Sequence, residues 1–299
     1  MNSFLKQTAE TIIQQIGWEQ LSSTTLVLPT HRAGVQLKDE LLLLQQKVGQ
    51  KAIYAPRITT IDQLFDSLSP LYSEDELTTI VRLYRLYRNS QITDSHNPVV
   101  SSDIMPLDMF YGWGRQMIAD FTNVDASMPA EEVPNFFDNV VAATELEQLQ
   151  IDDELRTRLV QLFGTKEYNI PNSVRNQYDR IWKQLFVLYR ELHAEMATEQ
   201  KGYPGMRQRS VIEQWDGVVQ EKIKGRRFVF VGFNYLLPVE FELMKRLKDA
   251  GQAMFCWDYV ADFQTNEKAF SFAIQNSGKL GSAVPPQQCI NTGCDGDRN

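Results

Sequence analysis

The run Thr24-Thr25-Leu26-Val27-Leu28-Pro29-Thr30-His31-Arg32-Ala33-Gly34 changes character at its middle. Thr24 to Leu28 are β-prone and lack the apolar–polar alternation of a half-exposed strand, so they read as a strand buried on both faces. Pro29 and Thr30 end it. From His31 an apolar series, Val35, Leu37, Leu41, Leu42 and Leu44, predicts a helix through about Val48. Upstream, Phe4, Leu5, Ala9, Ile12, Ile13 and Ile16 recur close to helical spacing, and Gly17 follows as a stop. Downstream, Ala52 to Ile58 predicts a second strand. Thr59-Thr60-Ile61-Asp62 opens a short helix ending near Leu68. Strand, helix, strand, helix is the order of an open parallel α/β sheet.

From Ser73 the pattern is helical. Ser73-Glu74-Asp75-Glu76 predicts a capping box with Ser73 at the cap. Behind it, Leu77, Ile80, Val81, Tyr84 and Tyr87 fall on one face. Helical periodicity continues over 105–121, 131–150, 152–163 and 176–196, the last carrying Ile181, Trp182, Leu185, Leu188, Tyr189 and Leu192 as one stripe. Lys201-Gly202-Tyr203-Pro204-Gly205 breaks it, and a further helix is expected over 206–222. Then a buried strand returns at Arg227–Phe233, followed by a helix with Pro238 in its first turn and a strand at Ala253–Trp257. The expected fold class is therefore α/β: one parallel-sheet domain, residues 1–72 and 223–265, interrupted by a large all-helical insertion at 73–222. Residues 266–299 show no periodicity and read as a disordered tail.

Composition bounds the function without giving it. With 299 residues, 43% hydrophobic and 23% charged, the chain can build two structural blocks and is not globally disordered. A net charge of −8 argues against coating nucleic acid by bulk charge but leaves room for a local basic groove. Three cysteines, Cys256, Cys289 and Cys294, make no disulfide framework and suit a reducing interior. Met1 to Thr8 lack the order of a signal peptide, and the longest apolar run is Leu41–Leu44. A soluble cytoplasmic protein with no membrane partner is expected.

Catalytic motifs fail one by one. Ser277-Gly278-Lys279-Leu280 is the nearest approach to a phosphate-binding loop, but Leu280 replaces the metal-binding hydroxyl and Ala273 the first glycine. Glu199-Gln200-Lys201 has the Glu-x-Lys spacing of a metal-dependent nuclease, yet sits at the end of a predicted helix. His31, His96 and His193 are far apart, and Cys289 and Cys294 have no second pair. No catalytic residue, metal or cofactor is expected. One positive feature remains. Thr30, His31 and Arg32 bring a hydroxyl, an imidazole and a guanidinium to the carboxyl end of a strand, where open α/β sheets bind ligands. The same residues also fit a plain capped loop with an exposed arginine. Lys222, Lys224, Arg226 and Arg227 precede a strand and read as a solvated turn on the opposite edge.

Thr25-Leu26-Val27-Leu28-Pro29-Thr30-His31-Arg32-Ala33 resembles motif Ia of superfamily 1 helicases, and more closely the start of AddB-type proteins of the PD-(D/E)XK nuclease superfamily, Bacteroidetes kind. Tyr54-Ala55-Pro56-Arg57-Ile58-Thr59-Thr60-Ile61 is similar to their second strand. Residues from Phe110-Tyr111-Gly112-Trp113-Gly114-Arg115 to Asn123-Val124-Asp125 resemble a signature of their helical insertion. Phe230-Val231-Gly232-Phe233-Asn234 resembles the position of the Walker B strand, and Trp257-Asp258-Tyr259 fits the strand that follows. The resemblance implies a RecA-like domain with a helical insertion, in a helicase–nuclease that processes broken DNA ends for recombinational repair. It also implies what is missing. No Walker A loop precedes the first strand, and Val231-Gly232-Phe233 stand where an active helicase holds magnesium with acids, so ATP hydrolysis would lack electrostatic support.

Carried over residue by residue, the resemblance leaves Thr30, His31 and Arg32 as candidate contacts to a single-stranded DNA backbone and supplies no catalytic residue. The implied role is an inactivated helicase-like module that scaffolds or contacts DNA beside an AddA-like helicase subunit. The alternative is a protein-interaction module whose helical block docks a partner without touching DNA. The loss of pattern after residue 265 reads as a truncated product, with the nuclease domain of such proteins lying further downstream.

Overall fold

A computed structural model of the chain describes residues 3–50, 54–93, 104–142, 172–259 and 268–286. In chain order the elements are α1 (Phe4–Ile16), β1 (Thr24–Leu28), α2 (His31–Val48), β2 (Arg57–Thr60), α3 (Ile61–Leu68), β3 (Tyr72–Ser73), α4 (Glu76–Thr93), α5 (Leu107–Ser127) and α6 (Val133–Ala142). There follow α7 (Asn172–Thr198), β4 (Lys201–Gly202), α8 (Pro204–Glu213), a π-helical turn at Trp215–Val219, α9 (Gln220–Ile223), β5 (Arg227–Val231), α10 (Pro238–Asp249), β6 (Ala253–Cys256) and α11 (Lys268–Leu280). The chain is α/β and mostly helical. It divides into two compact units, one formed by 1–70 with 208–299 and the other by Leu71–Arg207.

The first unit is built on a four-stranded sheet in the order β2-β1-β5-β6. Every neighbouring pair in it is parallel. β1 and β5 are the central strands. Their residues Leu26, Val27, Leu28, Val229, Phe230 and Val231 are all buried, as uninterrupted apolar strands in a parallel sheet must be. One face, with Leu26, Leu28, Val229, Val231 and Cys256, packs on Phe4, Ile12 and Ile16 of α1 and on Leu37 and Leu41 of α2. The other face carries a ladder of aromatic rings. Phe230 stacks on Phe255 at 5.4 Å between centroids, and Phe255 stacks nearly parallel to Trp257 at 6.0 Å.

Local chemistry explains most boundaries. Ser3 caps α1 by accepting from the Lys6 N–H, and Gly17 ends it at φ +80°. Thr60 and Gln63 form a reciprocal capping box at the start of α3. Pro238 stands at the first position of α10, with Glu240 in its first turn and Arg246 and Lys248 in its last, matching the helix dipole. The second strand lies later than the Ala52–Ile58 expected, at Arg57–Thr60: Thr59 and Thr60 pair with Val27 and Leu28, while Pro56 has no N–H to give a ladder. Residues 51–53 lie outside the described residues.

Among its described residues, the second unit is helical apart from one short parallel pair, β3 with β4. Its core gathers Ile80, Leu83 and Tyr87 of α4, Phe110, Met117 and Phe121 of α5, and Leu188, Leu192 and Met196 of α7. The face expected of α4 is rotated: Leu83 is buried, whereas Leu77 and Val81 are exposed. Its cap is Asp75, not Ser73, because the Asp75 carboxylate accepts from the Thr78 N–H at 2.9 Å and Ser73 is spent in β3. The Thr78 hydroxyl, and after it the Thr78 N–H, hold the Asp75 carboxyl below its ordinary range by hydrogen bonding. Of the expected helix at 131–150, the part at Val133–Ala142 forms α6; residues 143–171, and with them the helix expected at 152–163, lie outside the described residues.

Two expected boundaries move. Residues 208–222, expected to belong with the helical block, group with the sheet. The reason is polar: Ser210 and Ser69 share a buried hydroxyl contact at 3.1 Å, Lys222 Nζ donates to the Leu68 and Ser69 carbonyls, and Arg246 Nη1 donates to the Ile212 carbonyl. The expected disordered tail also gives way over 268–286. Here α11 forms, Ala273, Leu280 and Val284 are buried, and the Ala283 N–H donates to the Phe255 carbonyl along the outer edge of β6. Trp257 Nε1 adds a bond to the Gly281 carbonyl at 2.7 Å.

Among the described glycines of the second unit, Gly205 meets the closest approach. A Cβ there would lie 2.4 Å from Thr122 Cα and 2.6 Å from the Thr122 carbonyl oxygen. Backbone cannot yield as a side-chain tip can, so Gly205→Ala is expected to cost about 1–3 kcal/mol. The check is the urea midpoint; an unchanged midpoint would mean that α8 shifts away from α5 at no cost.

Candidate functional site

The strand order reverses between β1 and β5: from β1 the chain goes outward to β2, and from β5 it goes outward the other way to β6. That reversal is where open α/β sheets hold ligands, at the carboxyl ends of the strands. Thr30, His31 and Arg32 leave β1 at this place, and Gly232 to Leu237 leave β5 beside them. The expected clustering at one strand end is thus observed, with all three side chains exposed.

Their roles differ. Thr30 is the cap of α2, its Oγ1 accepting from the Ala33 N–H at 3.3 Å, so its hydroxyl is engaged locally. His31 meets Gln63, with Nε2 to Nε2 at 3.3 Å. Gln63 Oε1 accepts from Thr59 Oγ1 and from the Thr60 N–H, which leaves its amide nitrogen to donate toward His31. His31 Nε2 accepts in that arrangement. Arg32 projects from the first turn of α2.

Carboxylates stand at the same edge. Asp62, in the first turn of α3, is largely open to solvent as a residue, yet partial burial of its carboxyl raises its pKa, and Asp66 raises it further. Glu240, in the first turn of α10, is raised by burial first; its bond from the Leu237 N–H opposes this, and the Asp62 charge adds to the rise. Asp258, just past β6, is raised by burial. Among the described residues no three His, Cys, Asp or Glu side chains cluster so that they could hold a metal ion. Gly232, at φ +71°, and the buried Phe233 occupy the end of β5.

The other sequence features resolve into structure. Ser277–Leu280 form the last turn of α11 and not a loop. Glu199 and Lys201 belong to a charge cluster in which Arg82 binds Glu74, Glu195 and Glu199, and Lys201 binds Glu74 and Glu199. Arg82 and Lys201 hold the Glu199 carboxyl down at about 2. Lys222 caps the end of α3, while Arg227 opens β5 at the opposite edge of the sheet. Cys256 is buried, and burial pushes its thiol up to about 12, so it is inert. Cys289, Cys294 and His96 lie outside the described residues.

One constellation escaped the sequence reading. Asp125, 2% exposed, accepts from Tyr189 Oη at 2.5 Å and Tyr203 Oη at 2.6 Å and lies 3.1 Å from His193 Nε2. It pins α5, α7 and the segment after β4 together from inside the core, as a satisfied buried network does. Among the described residues, no helix is long and apolar enough to cross a membrane. In comparisons with known proteins, neither a protein-family model nor a curated protein matches this chain.

The carboxylate at the head of α10 yields a signed test. A Glu240 carboxyl raised in the folded state binds its proton more tightly there than in the unfolded chain. Its stability contribution is therefore present at acid pH and is lost as pH rises through the folded value. Glu240→Gln keeps the acceptor for the Leu237 N–H and removes the charge. Its thermal midpoint should exceed wild type at about pH 8 and converge with it at about pH 3. A lower midpoint at alkaline pH would show that the carboxylate's bond to Leu237 outweighs its burial.

Proposed function

We propose that this chain is a non-catalytic, RecA-like and helicase-like module of an AddB-type helicase–nuclease, contacting single-stranded DNA at the β1–β5 strand-end edge during repair of broken DNA. The observation that carries the reading is the juxtaposition of Thr30, His31 and Arg32 with the β5 loop at the point where the strand order reverses. Arg32 makes no ion pair among the described residues and suits a phosphate, since a guanidinium can take two phosphate oxygens at once. Thr30 and Gln63 hold the turn that presents it. At the end of β5, Val231, Gly232 and Phe233 offer no acid for a magnesium ion, which supports a module that binds without hydrolysing ATP.

The test is fluorescence anisotropy of a labelled single strand against increasing salt. Wild type should bind and release the strand as salt rises; Arg32→Ala should bind several-fold more weakly with a shallower salt slope. ATP should be neither hydrolysed nor needed. Equal binding by Arg32→Ala removes the assigned contact, and stimulated ATP hydrolysis removes the non-catalytic reading.

A second reading has its own observation. Leu77 and Val81, one turn apart on α4, are exposed, as is Met109 on α5. Apolar side chains so placed suit docking of an AddA-like helicase subunit by the helical unit. Co-elution with such a subunit, lost on Leu77→Asp with Val81→Asp, is the expected result. Co-elution unchanged by the double substitution would place the partner elsewhere.

A further inference from the structure

Two aromatic side chains stand in solvent at the same strand-end edge. Tyr235, in the loop after β5, is 58% exposed, and Phe272 of α11 is 43% exposed. Their rings meet edge to face, 5.1 Å between centroids and 84° between planes. An edge-to-face pair leaves aromatic faces open, where a stack of parallel rings would cover them.

The loop that carries Tyr235 is anchored on every side of it. The Gly232 N–H donates to the Cys256 carbonyl at 2.9 Å. Asn234 Oδ1 accepts from the Ala273 N–H at 3.2 Å, and the Asn234 carbonyl accepts from Asn276 Nδ2 at 2.9 Å. Phe233 and Leu236, on either side of Asn234 and Tyr235, are 5% and 8% exposed. The loop therefore sends its neighbouring apolar side chains into the core and holds Tyr235 outward on fixed backbone. Folding gains little from that ring, so its exposed face is free for a ligand.

The register places the pair beside the candidate DNA contacts. Val27 is opposite Phe230, so the residues that follow β1 and β5 emerge side by side, Thr30–Arg32 from one and Gly232–Tyr235 from the other. Asp62 and Glu240 share this edge, so a polyanion would find few favourable phosphate contacts here beyond Arg32. A ligand that binds such an edge must gain its affinity from something other than charge. Base stacking is the fitting chemistry: every base has a π face, single strands leave it uncovered, and duplexes do not.

We propose that Tyr235 and Phe272 form a stacking platform for an unpaired base of single-stranded nucleic acid whose backbone passes Arg32. This rests on the reading that the β1–β5 edge contacts single-stranded DNA, and adds that stacking carries most of the affinity. Phosphate contacts are few in this arrangement, so the salt slope is shallow, about −0.7 to −1.4 for one or two neutralised phosphates.

The experiment compares a labelled thymidine oligomer of about 15 nucleotides with an abasic oligomer of equal length. Wild type, Tyr235→Ala, Phe272→Ala, Tyr235→Phe and Arg32→Ala are each titrated by anisotropy, after urea midpoints confirm that they fold alike. Tyr235→Ala is expected to weaken thymidine binding about tenfold and Phe272→Ala less, while Tyr235→Phe keeps it. The abasic oligomer should bind wild type as weakly as thymidine binds Tyr235→Ala. Thymidine binding that survives Tyr235→Ala but falls with Arg32→Ala overturns the platform and leaves the DNA reading standing. No binding of either oligomer by wild type overturns that reading, and the platform with it. Self-association of wild type that Tyr235→Ala abolishes, with no change in oligomer binding, assigns the pair to a protein interface instead and overturns the platform.

Discussion

The ladder between β1 and β5 is the constraint on which the sheet unit rests. Thr24–Val27 lie opposite Arg227–Phe230, so two runs remote in sequence make the centre of the sheet. Closing so long a loop costs entropy that grows only with the logarithm of its length, about 0.6 kcal/mol for each doubling. Burying one large apolar side chain returns about 1.5–3 kcal/mol. Leu26, Val27, Leu28, Val229, Phe230 and Val231 are each at most 2% exposed, so the ladder outweighs the closure several times over. This is why the stretch Leu71–Arg207 can stand between the two halves of the unit and form a compact body of its own. The outer strands follow from the centre. β2 is short, and the free side of β6 is occupied near Phe255 by the Ala283 N–H, which blunts an edge that would otherwise invite pairing.

What was legible in the sequence was what local chemistry fixes. A strand buried on both faces must be largely apolar, so Thr24–Leu28 and Arg227–Val231 announce themselves, and the partly buried edge strand Ala253–Cys256 carries the same signal. Pro238, Gly17 and the Thr60–Gln63 spacing mark helix ends for reasons that need no neighbour. Where partners compete, the reading slipped. Ser73 and Asp75 are both good caps, and Ser73 was drawn into pairing with Gly202, leaving Asp75 to cap α4. Val81 and Leu83 both suit a helical stripe, and only packing against α5 and α7 selects Leu83. Arg57–Thr60 looks too polar for a strand until Ile58 and Thr59 are set beside Leu26 and Val27.

The candidate site was legible in one half. Thr30, His31 and Arg32 could be found because a strand end and a helix start adjoin in sequence. Tyr235 and Phe272 could not be paired in advance, because α11 was hidden by a glycine-containing stretch of weak periodicity. Its helix is held by tertiary bonds from Asn234 and by burial of Ala273 and Leu280. The Asp125 network escaped for the same reason. Its members come from α5, α7 and the segment after β4, and no spacing rule brings residues 125, 189, 193 and 203 together.

The net charge of −8 says little about this edge, because binding depends on the charges within a Debye length, about 8 Å at physiological salt. Arg32 shares the edge with the carboxyls of Asp62, Glu240 and Asp258, each raised chiefly by burial. Such an edge does not draw a polyanion in by field. Selection then falls to contacts that a duplex cannot satisfy, and the open aromatic faces of Tyr235 and Phe272 are of that kind. On the reading proposed above, this sheet edge distinguishes an unpaired strand from a paired one by stacking and not by charge.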